Sequence, residues 1–321
     1  MTTNAVTQDG AAPIAKHPAG TGSRRTGSSE GRLPLIMLFP AIVIMLFVIG
    51  IPMLYSLYLS FTNYSLTSLT HKFIGFENYI QLLFHDPLFW ASFGRTVLFM
   101  TLAVNIEFLL GLGIAQLMAK AIRGQGFRRT LMMMPMMFAP ILVGFQFKWF
   151  FNAQIGLVNN LLFTVTGQPH FIPWLIQKPL GFISILVAEI WMGTPFMVII
   201  LEAGILSLPI EPFEAAEVDG ASGWAKFRML TIPMLMPFIY TAMAIRSLDL
   251  ARAYDVVSIM TGGGPANRTE LIWTYVNRLA FGQHEFALAT AMSYITVLVS
   301  FLFTYYLFRN LIKSRWAGGK G

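Results

Sequence analysis

The stretch EPFEAAEVDGASGWAKFRMLTIPMLMP, Glu211 to Pro237, decides how this chain is read. It sets Glu, Asp, Lys, Arg and Gly between two strongly apolar runs, LGFISILVAEIWMGTPFMVIILEAGILSL before it and IYTAMAI after it. Apolar runs of about 20 residues match a hydrocarbon core of about 30 Å, which makes the charged patch a short connection between membrane spans. The rest of the chain agrees. Of 321 residues, 55% are hydrophobic and 12% charged, with a mean hydropathy of +0.63, whereas soluble domains run about 45–50% apolar and about 25% charged. The composition excludes an ordinary globular enzyme. An all-α integral membrane protein is expected, because helices satisfy their own backbone in lipid.

Apolar blocks predict six spans: Leu33 to Phe61, Thr96 to Ala119, Thr130 to Phe151, Leu180 to Leu208, Ile232 to about Met260, and Phe286 to Phe308. Residues 1–32 are rich in Gly, Ser, Thr, Ala and Pro and read as a disordered tail. The first apolar block begins too late and runs too long for a signal peptide. Net charge is +7, and Lys and Arg gather at Arg24, Arg25 and Arg32, at Lys120, Arg123, Arg128 and Arg129, and at Arg309, Lys313, Arg315 and Lys320. By the positive-inside rule those segments are cytoplasmic, which puts both termini, the C-terminal tail 309–321 and the Glu211 stretch on that side. The connections Thr62 to Arg95, Asn152 to Pro179 and Thr261 to Glu285 then face outward. A basic balance of this kind points to cytoplasmic loops and not to nucleic acid.

Within the opening stretch, PFEAAEVDGASGWAKF predicts a helix, a break at Gly220 and a second short helix. Glu211 and Glu214 favour the first helix's N-terminus, Gly220 can end it with a positive φ, and Ser222 can cap the next. Pro233 and Pro237 are expected to stop the second helix before span five. From the residues alone two readings stay open: an amphipathic interfacial loop, or a rigid knob that docks into another protein. No G-x-x-x-x-G-K-[ST] loop is present, so the chain has no phosphate cradle of its own. Chemistry is equally thin elsewhere. Cysteines are absent, which excludes disulfides and thiolate metal sites. His17, His71, His85, His170 and His284 have no metal-site spacing, and the Met132 to Met137 run suits adaptable packing.

EAAEVDGASGWAKFRMLTIPMLMP resembles the EAA loop of permease subunits from binding-protein-dependent ABC importers, whose pattern is Glu-Ala-Ala, three residues, Gly, nine residues, Ile, one residue, Leu-Pro. Glu214, Ala215, Ala216, Gly220 and Pro233 match it, while Leu230 and Ile232 exchange the two aliphatic positions. FIGFENYIQLLFHDPLFWASFGRTV, FKWFFNAQIGLVNNLL, AGILSLPIEPFEAAEVDGA and IMTGGGPANRTELIWTYVNRLAF are similar to the carbohydrate-transporting, maltose-type branch. The resemblance implies a type I ABC importer permease (MetI-like) fold of six helices over residues 33–308, on the inner membrane of a bacterial cell. It implies that the loop at about 209–233, with Asp219 beside Gly220, is a coupling helix seated in an ATPase subunit. It also implies a second permease, two ATPase subunits that hold ATP and Mg, a solute-binding protein outside, and a carbohydrate substrate. No enzyme activity and no cofactor are expected on this chain.

Ionisable residues inside spans are costly and therefore candidates for function. They are Glu107, Lys148, Glu189, Glu202, Arg246, Asp249, Arg252 and Asp255. The last four are spaced by three, so they form either a self-neutralising ladder along one helix or part of the substrate pathway; Tyr254 shares that segment. In AEIWMGTPF, Gly193 and Pro195 weaken a helix at mid-span, a recurrent transporter site. Glu189, Trp191, Met192, Gly193 and Phe196 there offer the aromatic surface and hydroxyl partner that a sugar needs, or else ordinary packing. Glu202 reads as structural, Lys148 as snorkelling outward, and TGGGPANRT as a flexible outer turn. An ion-coupled secondary transporter, with Glu107, Glu189 and Asp249 as proton sites, is the rival reading.

Overall fold

Pro87 opens a 32-residue helix, Pro87–Met118. Its missing N–H costs nothing at a first helical position, and the Asp86 carboxylate accepts from the backbone N–H groups of Leu88 at 2.8 Å and Phe89 at 3.1 Å. The computed structural model from which this geometry comes describes residues 33–68, 72–120 and 124–317. The tail 1–32 with Arg24, Arg25, Arg32 and His17 lies outside the described residues, as do His71, Arg123 and Lys320.

Among the described residues the secondary structure is helical, apart from a single bridge between Thr62 and Phe73. The chain divides into the units Met1–Met53 and Leu54–Gly321. In the first, a helix enters at Leu33 and widens into a π turn at Leu46–Gly50; its described side chains are almost all exposed. In the second, Pro87–Met118 packs most extensively against Leu180–Leu206. The crossing is close because Gly111 leaves room: a Cβ there would stand 2.6 Å from that of Met197. Small residues at such contacts are how helices approach in lipid, where apolar burial gives little drive. Phe99, Ala103, Val143, Ile185, Ala188 and Met197 form the middle of the core. Leu112, Ala115, Val198, Leu201, Leu235 and Ile239 extend it toward the Glu211 element, and Leu82, Phe89, Ile272, Leu279 and Met292 fill the opposite end.

Four helices, Met37–Leu59, Pro87–Met118, Leu180–Leu206 and Gly223–Leu250, are long and apolar enough to cross a membrane. Two expected spans take another form. Thr130 to Phe151 was expected to be one helix, but Gln125–Met137 and Pro140–Phe150 meet at 89°. Phe138 and Ala139 turn extended between them, with ψ of 141° and 137°, because proline at 140 disfavours the helical region for its predecessor. The pair makes a fifth crossing if counted as one. The last helix runs Phe286–Ala317, and its described apolar part, Phe286–Leu302, is shorter than a full span.

Span five also differs at both ends. Pro233 and Pro237 do not stop the second short helix: Gly223–Lys226 runs through a π turn at Phe227–Thr231 straight into Ile232–Leu250. The wider turn pairs Ile232 N with Phe227 O, five residues back, and thereby carries the helix up to a proline that cannot donate. The helix then ends at Leu250, not Met260, and a separate helix Asp255–Met260 follows. Trp273 Nε1 donates to Ala251 O at 3.0 Å, which satisfies a carbonyl released at that end.

Candidate functional site

Three helices meet on one guanidinium. Arg246, from the fifth apolar segment, donates from Nε to Glu107 Oε2 at 2.7 Å and from Nη2 to Glu107 Oε1 at 3.0 Å, a two-pronged grip on a carboxylate of Pro87–Met118. The same Nη2 donates to Glu189 Oε1 of Leu180–Leu206 at 2.7 Å, and Nη1 to Asp249 Oδ2 at 3.0 Å. Glu107 is fully buried, and Glu189 and Arg246 are each 5% exposed. Planar guanidinium suits this task because its fixed fork meets carboxylates in pairs. Gly193 supplies the space. A Cβ at that position would lie 2.5 Å from Glu107 Oε1 and 2.6 Å from Arg246 Cζ, so any side chain would displace the cluster.

Beside the cluster is a cavity of about 210 Å³, onto which Met192, Gly193, Phe196, Arg246 and Asp249 face. Met136, Phe138, Pro140 and Ile245 complete its wall; none was expected in the pathway, and Met136 belongs to the run that read as adaptable packing. Trp191 packs instead against Phe147 and Phe138, with ring centroids 5.5 and 6.2 Å away. Arg252 lies beyond the helix end and reaches Asp249 Oδ1 only at 3.6 Å. Tyr254 occupies the bend before Asp255. The expected ladder is therefore two steps long: Asp255 starts a new helix, so its spacing no longer sets it beside Arg252. Glu202 Oε1 accepts from both Nε, at 3.1 Å, and Nη2, at 2.8 Å, of Arg129 on the bent segment. Lys148 is exposed and borders a larger cavity of about 550 Å³, with Trp174 and Thr261.

The Glu211 element is a helix, a break and a helix. Glu211–Val218 ends at Gly220, whose φ of +72° is the left-handed conformation that favours glycine. Ser222 Oγ accepts from Ala225 N at 3.2 Å and starts the second helix. Lys226 Nζ and Glu217 Oε1, 2.5 Å apart, tie the two helices together, and the ammonium holds the Glu217 carboxyl below its usual range. Glu214, Ala215, Asp219 and Pro233 are exposed and Ala216 partly so, as are the apolar Val218 and Trp224. A stiff element with exposed apolar tips is suited to docking.

The TGGGPANRT turn is fastened where a flexible one was expected. Arg278 donates to Asn267 Oδ1 at 3.0 Å and to Glu270 Oε2 at 2.9 Å, Arg95 Nε donates to Glu270 O at 2.8 Å, and the hydroxyls of Thr261 and Thr269 are 2.7 Å apart. Glu270 is 1% exposed, and burial pushes its carboxyl up against the pull of Arg278 and Arg95. Sequence reading missed it, since nothing local marks a loop carboxylate as buried.

Family, relatives and solved structures all point the same way. The family described as binding-protein-dependent transport system inner membrane component matches residues 107–315. A probable ABC transporter permease of Sinorhizobium fredii is 35% identical over 80% of this chain and 83% of its own. The trehalose/maltose transport system permease MalF of Thermococcus litoralis is 30% identical over 86% of this chain and 92% of its own. In fold, the chain is similar to a bacterial ABC transporter involved in the import of the acidic polysaccharide alginate, with a TM-score of 0.76 and 21% identity over 89% of this chain and 96% of that one.

Proposed function

The chain belongs to the binding-protein-dependent transport system inner membrane components, and from that premise we propose that it is one half of the translocation pathway of a carbohydrate importer. The observation that carries the carbohydrate reading is its nearly full-length likeness to a trehalose/maltose permease. The site is compatible with that cargo. Asp249 offers an acceptor for hydroxyls at the cavity, and Phe196 and Phe138 offer aromatic surface, a combination that leaves few sugar polar groups unpaired.

In this reading the chain hydrolyses nothing itself. The Glu211–Lys226 element seats in an ATPase subunit through Glu214, Ala215, Ala216, Asp219 and Gly220, with Pro233 at its base, and two such subunits hold ATP and Mg. A second, different permease closes the cavity, and a solute-binding protein delivers the sugar from outside. Both termini and the Glu211 element face the cytoplasm of a bacterial cell, following the distribution of Lys and Arg. A helix-break-helix element locked by Lys226 and Glu217 and continuous with a long helix can transmit ATPase closure as a rigid push.

Purification of the tagged chain in mild detergent from its host tests the assembly, with co-purifying proteins identified and ATP hydrolysis assayed. An ATPase and a second permease are expected to co-elute, and cells carrying the whole system are expected to take up radiolabelled sugars in an ATP-dependent way. A chain that elutes alone and moves solute under an ion gradient would overturn the reading.

A further inference from the structure

The fold is shared with an importer of an acidic polysaccharide, so fold alone does not set the charge of the cargo; the side chains at the cavity must. Here Arg246, the one buried cation among the described residues, is already engaged. Arg246 makes four N–H···O contacts, all to carboxylates: two to Glu107, one to Glu189 and one to Asp249. A guanidinium has five N–H groups and no acceptor. Three acids therefore surround one base, and with Arg252 counted at 3.6 Å from Asp249, acids still exceed bases by one. Even with one of the two buried acids neutral, the group that the cavity meets is an accessible carboxylate, Asp249, whose side chain is 59% exposed.

We propose that this cavity is built for uncharged polyhydroxyl solutes and disfavours anionic ones, with Arg246 withheld from the cargo by Glu107 and Glu189 and with Asp249 setting the sign of the wall. The proposal deepens the carbohydrate reading and rests on it. An acidic sugar entering here finds Arg246 already held in four contacts, and displacing Asp249 from it would leave that carboxylate with only the longer 3.6 Å approach of Arg252. Like charges juxtaposed in a confined site oppose binding, and clefts of low dielectric amplify the effect. A neutral sugar meets the same wall on good terms, since the carboxylate accepts its hydroxyl hydrogens. Gly193 is part of the device, because its bare backbone lets the three helices close on Arg246.

The test reads the sign of the potential directly and needs no knowledge of the sugar. The chain contains no cysteine, so a single thiol can be placed at Ile245, which is 45% exposed at the cavity wall, and for reference at Val165, which is 85% exposed on another helix. Each variant, Ile245→Cys and Val165→Cys, is assembled with its partner subunits in nanodiscs and treated with a trimethylammonium or a sulfonate methanethiosulfonate. Modification is followed on this chain by mass spectrometry. The cation-to-anion rate ratio at Ile245→Cys is expected to exceed that at Val165→Cys by roughly tenfold at low salt, within the range for charge-lined clefts. It should shrink in high salt and when Asp249→Asn is added. A ratio equal to the reference, or one that Asp249→Asn leaves unchanged, would overturn the proposal. Failure of the carbohydrate reading shows separately, as loss of sugar uptake by the complete importer whatever the ratio.

Discussion

Arg246 Nη2 lies 2.7 Å from Glu189 Oε1 and 3.0 Å from Glu107 Oε1, so one guanidinium nitrogen joins carboxylates from two helices that already cross closely. Breaking a buried pair by removing one partner costs about 3–5 kcal/mol, because the remaining charge is stranded. Arg246→Met strands two. It is expected to reduce the yield of folded protein and lower the detergent Tm markedly. Arg246→Lys should recover little of this, since an ammonium lacks the planar fork. Wild-type Tm in Arg246→Met would show that the cluster adds nothing to the fold.

Gly193→Ala adds a methyl where 2.5 Å separates the new Cβ from Glu107 Oε1. Overpacking of this kind costs about 1–3 kcal/mol, less than the loss of Arg246, because the side chains can partly retreat. Their retreat would carry Arg246 and Asp249 away from the cavity, so sugar uptake is expected to fall more than Tm does. A variant with unchanged uptake would separate the cluster's geometry from transport.

The sequence disclosed more of the fold than of the site. Long apolar blocks, interrupted only by Glu107, Glu189 and Glu202, marked the spans Thr96 to Ala119 and Leu180 to Leu208, although the first of these helices begins earlier, at Pro87, and EAA followed by a glycine marked the element at Glu214, since both depend on local composition. Where prolines fell, the outcome depended on neighbours: Pro140 turned the chain by 89°, whereas Pro233 was absorbed by a π turn. Periodicity also suggested Arg246, Asp249, Arg252 and Asp255 as one ladder, but a helix that stops at Leu250 cannot keep that spacing. Glu107 and Glu189 could be nominated as costly residues in lipid, yet nothing local indicated that both would turn to Arg246. Such a meeting is set by helix crossings at Gly111 and Gly193, which are long-range facts.

Gly220 sits at φ +72° with nothing within 4 Å of where a Cβ would be, so substitution strains only the backbone. Gly220→Val should cost about 1–2 kcal/mol, which is small for the whole chain, while changing the angle between Glu211–Val218 and Gly223–Lys226. Glu214→Lys, on the exposed first turn, should cost about 0.3–1 kcal/mol through the helix dipole. Both variants are expected to insert and fold yet lose substrate-stimulated ATP hydrolysis in the assembled importer. Normal stimulation in both would remove the element from the coupling path.

Glu270 offers a pH dependence with a definite sign. Its carboxyl is pushed above its ordinary value by burial, with Arg278 and Arg95 pulling the other way. In an unfolded chain a glutamate titrates near about 4.3. A group whose folded value is the higher one contributes stability that is complete below about 4.3 and is lost as pH rises through the folded value. The Tm of the purified chain should therefore contain a component that declines with rising pH across that window. Glu270→Gln keeps an oxygen for Arg278 Nη2, now 2.9 Å from Glu270 Oε2, and removes the proton equilibrium. It should flatten that component without loosening the turn, as read by thermal unfolding over a pH series. A slope that survives in Glu270→Gln would assign it to other groups and show that Glu270 is charged at no cost in its buried setting.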